Sequence, residues 1–301
     1  MEAKKKWCWG LAGVALLLVG AGVANAADQG LPAGTVFVGL DGSGWKLYFV
    51  PESGAAPNAV PTETEPRTPS YDPQSGRIAY IAADGSLLVS KPDGSEKTRL
   101  LPASDAHTFT QPAYAPASGA LYVVALSDGN SADTALWCVD PDGDVERPAL
   151  EQRFAQFEPH VAADGYVYYG NAHCAGGCGR VIQEIWRFDP VSGQARQLTL
   201  RNAYSREPAT SPSGKLLFYA SNVAGSFDIW RQALDGGEPT RLTHSDANDL
   251  SVSIDAEGGV YFVRRAPDAV RVMRIREGGR PEQVPLPAPI RDVRSLRVGR
   301  R

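Results

Sequence analysis

Reactive side chains are scarce in this chain of 301 residues, which holds four cysteines, four histidines and two methionines. The histidines, at 107, 160, 173 and 244, are scattered, so no His-Glu-x-x-His zinc pair can form on a helix. The chain also lacks a Gly-x-Ser-x-Gly turn for a nucleophilic serine, a glycine-rich phosphate loop between strand and helix, and any convincing helical periodicity. These absences argue against the common serine hydrolase, metalloprotease and nucleotide-binding classes. Asp128, Asn130 and Asp133 in SDGNSADT share residue types with a calcium loop, but they lack its register and its terminal glutamate and read as a turn. Beyond the first 26 residues no apolar run is long enough to cross a bilayer.

The N-terminus is a different kind of sequence. Lys4 to Lys6 form a basic stretch, Trp7 to Val23 an apolar core, and Ala24-Asn25-Ala26 a small-residue cleavage site. That order reads as an export signal over residues 1–26 cut before Ala27, with an uncleaved anchor as the alternative. Cys8 leaves with the leader, and no cysteine follows the apolar core as lipid attachment would require. Losing three lysines and one glutamate takes the formal net charge from −4 to −6, which leaves little affinity for a phosphate backbone and predicts no nucleic-acid partner. Arg291, Arg294, Arg297, Arg300 and Arg301 form a local exception. They read either as a basic patch for an anionic partner or as solvated charge on a terminal strand.

From Gly76 onward the chain repeats itself. Each unit runs from a segment with proline, through a glycine turn, an apolar run, a loop and an aromatic-bearing strand, to a second glycine turn and a short Arg/Thr/Leu strand. The first-turn glycines are Gly76, Gly119, Gly165, Gly214 and Gly259, at intervals of 43, 46, 49 and 45 residues. Units of that length with four strand signals each are propeller blades. The second turns fall at Ser53-Gly54, Asp93-Gly94, Asp142-Gly143, Ser192-Gly193, Asp235-Gly236 and Glu277-Gly278, and Tyr48, Trp137, Trp186 and Trp230 in the strands before them suit the wedge between blades. The length after the leader accommodates about six units. The sixth is assembled from both termini, with Asp292 to Val298 as inner strand and Thr35 to Val38, Trp45 to Val50 and Ala59-Val60 as the other three. The expectation is one all-β domain over residues 27–301, a six-bladed propeller of four-stranded antiparallel blades closed by its two ends.

Aligning the units brings one set of polar residues to the loops that enter the inner strands: Arg67, His107, Gln111, Glu158, Arg206, Glu207, Asp249 and Arg291. They are expected to ring one mouth of the channel and to bind a partner. Three cysteines remain after export. The spacing in HCAGGCGR favours a Cys174–Cys178 disulfide in an oxidising compartment, while Cys138 reads as a buried thiol. A metal set of His173, Cys174 and Cys178 lacks a fourth ligand. No metal, cofactor or catalytic residue is expected.

The segment SPSGKLLFYASNVAGSFDIWRQALDGGEPTRLTH carries a Ser-Pro-Ser-Gly turn, an Asp-Ile-Trp strand, an Asp-Gly-Gly turn and an Arg-Leu-Thr ending in order. In this it resembles the repeat of TolB-type propellers. The pattern recurs in residues 67–102, 109–148 and 154–200 and is degenerate in 247–287. The resemblance implies a periplasmic, non-catalytic, monomeric scaffold that presents one end of its channel to a periplasmic or envelope protein. Contact with the membrane would come only through a partner or an uncleaved leader. The family's α/β domain ahead of the propeller has no counterpart here. A propeller lyase or hydrolase acting on a sugar or peptide in the channel is the alternative.

The cysteine reading gives a direct test. Mass spectrometry of the non-reduced mature protein should find Cys174 linked to Cys178 and Cys138 unlinked; stoichiometric zinc with reduced thiols would refute the assignment.

Overall fold

The computed structural model describes residues 30–127, 133–140, 144–146, 149–150, 152–175 and 179–300. The leader, Asp128, Asn130, the Asp142-Gly143 turn and Cys178 lie outside them. Six four-stranded antiparallel sheets make up the described chain, with no helix among the described residues. Strands are numbered in chain order. The first complete blade contains β4 (Arg67–Asp72), β5 (Arg77–Ile81), β6 (Leu87–Ser90) and β7 (Thr98–Leu101). The second contains β8 (His107–Tyr114), β9 (Leu121–Ser127), β10 (Thr134–Val139) and β11 (Val145–Glu146). The third contains β12 (Ala155–Val161), β13 (Val167–Ala175), β14 (Arg180–Asp189) and β15 (Gln194–Gln197). The fourth contains β16 (Ser205–Thr210), β17 (Leu216–Ala224), β18 (Ser226–Ala233) and β19 (Thr240–Arg241). The fifth contains β20 (Asn248–Ile254), β21 (Val260–Arg265), β22 (Val270–Ile275) and β23 (Glu282–Val284).

The sixth blade joins the two ends of the chain. Its inner strand β24 (Asp292–Arg297) pairs with β1 (Val36–Asp41), followed by β2 (Gly44–Phe49) and β3 (Asn58–Val60). Leu40 lies opposite Asp292, Gly39 opposite Val293 and Val38 opposite Arg294. The join removes an exposed edge that would otherwise template pairing with another chain.

The core lies between the blades. The Val- and Tyr-rich second and third strands are apolar on both faces, so each blade packs against two neighbours. Six apolar clusters fill the six wedges: Phe218 and Ala220 of one blade meet Val252 and Phe262 of the next, and Tyr168 and Ile185 meet Leu217, Tyr219 and Trp230. Each fully buried side chain of this size contributes roughly 1.5–3 kcal/mol. Tyr48, Trp137 and Trp230 are buried and Trp186 is partly so, all four in wedges as their spacing suggests. Cys138 is buried in β10.

One turn departs from the sequence reading. Gly258, with φ of +87°, is the left-handed residue before β21, in place of Gly259. The Asp255 carboxylate explains the shift: its Oδ1 accepts the N–H of Gly259 at 2.6 Å, and a Cβ on Gly259 would come within 2.6 Å of Oδ2. Gly259 is therefore needed for close approach and Gly258 for the turn.

Closure by β24 is directly testable. Removing residues 291–301 strips Val293, Leu296 and Val298 from the wedge they share with Tyr48 and Tyr261 and opens the edge of β1. The truncated protein should aggregate or lose its cooperative thermal transition. An unchanged melting curve, followed by tryptophan fluorescence, would contradict a ring held shut by this strand.

Candidate functional site

Every inner strand breaks its ladder at the same place. Thr68, Gln111, Glu158, Glu207, Ser251 and Ser295 all have left-handed φ, between +42° and +58°, at or beside the register shift of their strand. Such backbone costs about 1–3 kcal/mol per non-glycine residue unless its surroundings enforce it. Here the enforcement comes from the neighbouring blade. The N–H of Gln111 donates to Thr68 Oγ1 at 3.1 Å, that of Glu158 to Gln111 Oε1 at 2.9 Å, and that of Glu207 to Glu158 Oε2 at 2.8 Å. The N–H of Ser251 continues the series to Glu207 Oε2. Four of the six bulges thus satisfy their N–H with the side chain of the bulge before them. Pro69, Pro112, Pro159 and Pro208 follow four of the bulges and bring no N–H of their own.

A second tier lies two and three residues further along. Tyr114 N–H donates to Ser70 Oγ at 3.1 Å, Thr210 N–H to His160 Nε2 at 3.1 Å, and Val298 N–H to Ser253 Oγ at 3.0 Å. These bonds again run from one blade to the previous one.

Charge concentrates in the upper tier. Glu158, only 4% exposed, accepts from Arg206 Nη2 at 2.5 Å, from Gln183 Nε2 at 3.0 Å and from the Glu207 backbone. Arg206 Nη2 also lies 3.7 Å from Glu207 Oε1. Burial raises the Glu207 carboxyl above the ordinary carboxylate range; the Arg206 charge opposes that rise and the Glu158 charge adds to it. Arg297, two residues past the last bulge, lines both the tight space of about 40 Å³ at the bulges and a cavity of about 500 Å³ beyond them. It therefore stands at the junction of the two. Burial holds its guanidinium below the usual arginine value, against the pull of Glu207 and Glu158. His160 and Arg300 line the larger cavity. Burial holds the His160 imidazole well below its ordinary value, and the Arg300 and Arg297 charges push the same way.

The residues expected at the channel mouth separate into groups. Gln111, Glu158 and Glu207 belong to the bulge ring, and Arg206 is bonded to it. Asp249 is buried in a two-pronged pair with Arg264 of its own blade, at 2.8 Å for each contact. His107 packs edge-on against Trp137 with ring centres 4.8 Å apart. Arg67 and Arg291 are exposed, and the backbone N–H of Arg291 bonds Leu40 O at 2.9 Å. Thr68, Ser251 and Ser295 complete the ring and were not singled out. Their signal was the position one before the repeating proline, which β20 and β24 lack because Val252 and Leu296 stand there. Cys174 is half-buried on β13, but its expected partner Cys178 lies outside the described residues. No group of three metal-binding side chains occurs among the described residues.

Comparison with family models and with curated proteins gives no match. Solved structures do match. The chain is similar to TolB from Acinetobacter baumannii, with a TM-score of 0.72, 18% identity, and coverage of 90% of this chain and 68% of that one. It is similar to a putative TolB from Agrobacterium tumefaciens, with a TM-score of 0.65, 18% identity and coverage of 83% and 88%. A gluconolactonase from Xanthomonas campestris aligns with a TM-score of 0.59, 16% identity and coverage of 87% and 88%. At such identities the likeness is one of fold, and that fold is the TolB-like six-bladed propeller.

If the ring holds the bulges in place, its acceptors matter more than its charges. Glu207→Ala strands the Ser251 N–H and should cost about 1–3 kcal/mol in urea unfolding. Glu207→Gln keeps an acceptor and removes a buried charge, so it should cost less. Equal stability of the alanine variant and the parent would show that the bulges do not depend on these bonds.

Proposed function

We propose that this protein is an exported, non-catalytic scaffold of the periplasm or cell envelope that docks a protein partner on one face of the propeller. Four of five exposed large apolar side chains support this reading. Because the strands of a blade alternate in direction, the loops before the inner strands and the hairpins between second and third strands share one end, here the leading face. Phe154 immediately precedes β12, Leu200 precedes β16, Val181 opens β14 beside its hairpin, and Val223 lies in the β17–β18 hairpin. Their exposures are 56%, 86%, 50% and 38%. All four belong to two adjacent blades. Val191, 97% exposed, sits alone on the opposite face in the β14–β15 turn.

An apolar cluster on a rigid face, bordered by charge, is what a protein interface requires. Arg180, exposed beside Val181, supplies charge at that border. Phe154 also holds a φ of +77°, uncommon for a bulky residue and costly unless the site keeps it. The Lys4 to Ala26 leader supports export, and the TolB structures with the same fold accord with an envelope location. The channel carboxylates favour a structural role over acid–base chemistry, because Glu158 already accepts three donors and Glu207 serves the Ser251 N–H.

The test is partner capture from the native envelope fraction with three proteins: the parent, a Phe154→Asp/Leu200→Asp double variant, and Val191→Asp. Exposed substitutions of this kind shift stability by no more than about 0.5 kcal/mol, so melting should barely move. The double variant should lose the proteins that the parent and Val191→Asp retain, with affinity down by roughly tenfold or more. Retention by the double variant, or equal loss in Val191→Asp, would place the interface elsewhere.

A further inference from the structure

Around His160, at the trailing end of the channel, more hydrogen-bond donors converge than the imidazole can accept. His160 Nε2 accepts the Thr210 N–H at 3.1 Å, which places the proton of a neutral imidazole on Nδ1. Arg300 Nη2 lies 2.9 Å from that same Nδ1 and 3.0 Å from Nε2, so it either faces a donor or competes with the Thr210 N–H for one lone pair. The other tautomer gives the Nε2 proton to Thr210 Oγ1, 3.0 Å away, and strands the buried Thr210 N–H instead. Either way one donor is left over. Arg300 spends Nη1 on Val161 O at 3.3 Å. The Arg297 guanidinium, with five N–H groups, has no hydrogen bond or ion pair among the described residues. The carboxylate that lines this cavity is engaged: Asp72 binds the N–H groups of Gln74 and Ser75 at 3.0 Å each and the Ser75 hydroxyl at 2.6 Å.

The same cavity of about 500 Å³ has an apolar side, where the rings of Phe49 and Tyr71 meet at 5.0 Å beside Pro51. We propose that this cavity is a binding site for a small organic carboxylate with an apolar or aromatic body, its oxygens held by Arg297 and Arg300 and its body against Phe49 and Tyr71. A carboxylate supplies the missing acceptors and matches the planar fork of a guanidinium. It also offsets part of the charge of two neighbouring cations: Arg297 is half-buried and already drawn on by Glu207 and Glu158, and the Arg300 guanidinium, on a residue exposed overall, is held down to about 10 by its surroundings and by the Arg297 charge. The site lies at the end of the channel opposite the Phe154 and Leu200 face and stands independently of the protein-docking role.

Phenylacetate is the probe, with phenethylamine as its cationic counterpart and inorganic phosphate as a bare oxyanion, each titrated calorimetrically into the mature protein. Phenylacetate should bind, phenethylamine should not, and phosphate should bind more weakly for want of an apolar body. Arg297→Gln and Arg300→Ala should each weaken phenylacetate by roughly tenfold or more, the worth of one charge-assisted contact. Arg300→Ala, next to the chain end, keeps the test valid should Arg297→Gln fold poorly. Absence of phenylacetate binding, binding undiminished in Arg300→Ala, equal binding of the amine, or phosphate binding as tight as phenylacetate would each overturn the assignment.

Discussion

A backbone N–H released from its sheet must find an acceptor elsewhere, and in this propeller the acceptor is a side chain one blade away. The bulge in each inner strand puts a residue in the left-handed region and takes its N–H out of the ladder. Thr68, Gln111, Glu158 and Glu207 accept the freed N–H groups of the blades that follow them. The wedges between blades are apolar and non-directional, so they set how closely blades pack but not their register along the channel. The bulge ring supplies that direction. It also explains how carboxylates can stand at the centre of the molecule: buried charges there are accommodated by backbone donors and by Arg206.

The ring divides the channel into unlike halves. On the leading side the exposed surface is apolar, carried by Phe154, Val181, Leu200 and Val223 on the loops of two blades. On the trailing side the apolar surface lines a cavity and the charged groups beside it are the guanidinium groups of Arg297 and Arg300, next to the neutral His160. Arg297 lines both spaces. A face that offers exposed hydrocarbon suits a protein surface, whereas a recess that offers unmatched guanidinium groups suits a small anion. The two halves therefore differ in the chemistry of what they can hold, although both rest on the same strands.

The same fold is shared by TolB proteins and by a gluconolactonase, so the propeller alone does not choose between binding and catalysis. The state of the channel carboxylates bears on the scaffold role proposed above. A carboxylate that takes up a proton from a substrate needs a free lone pair aimed into open space. Glu158 already accepts three donors and Glu207 accepts the Ser251 N–H, which supports the scaffold reading proposed above.

The repeat of about 46 residues was sufficient to read the blade count, the four-stranded plan, the wedge aromatics and the closing of the last blade by Asp292 to Val298. Those features follow from period and polarity alternation, which are local and additive along a chain. The sequence also marked Gln111, Glu158 and Glu207 as belonging to one end of the inner strands. It could not distinguish Gly258 from Gly259, because that choice turns on the Asp255 carboxylate folding back across the turn. Nor could it assign Arg297 and Arg300, which along the chain are two members of a basic run indistinguishable from Arg291 and Arg294. Only the closed ring turns Arg297 and Arg300 towards the channel and sends Arg294 outward, 3.6 Å over the ring of Trp45. Periodicity tells which face of a strand a residue is on; what stands opposite that face is decided by strands hundreds of residues away.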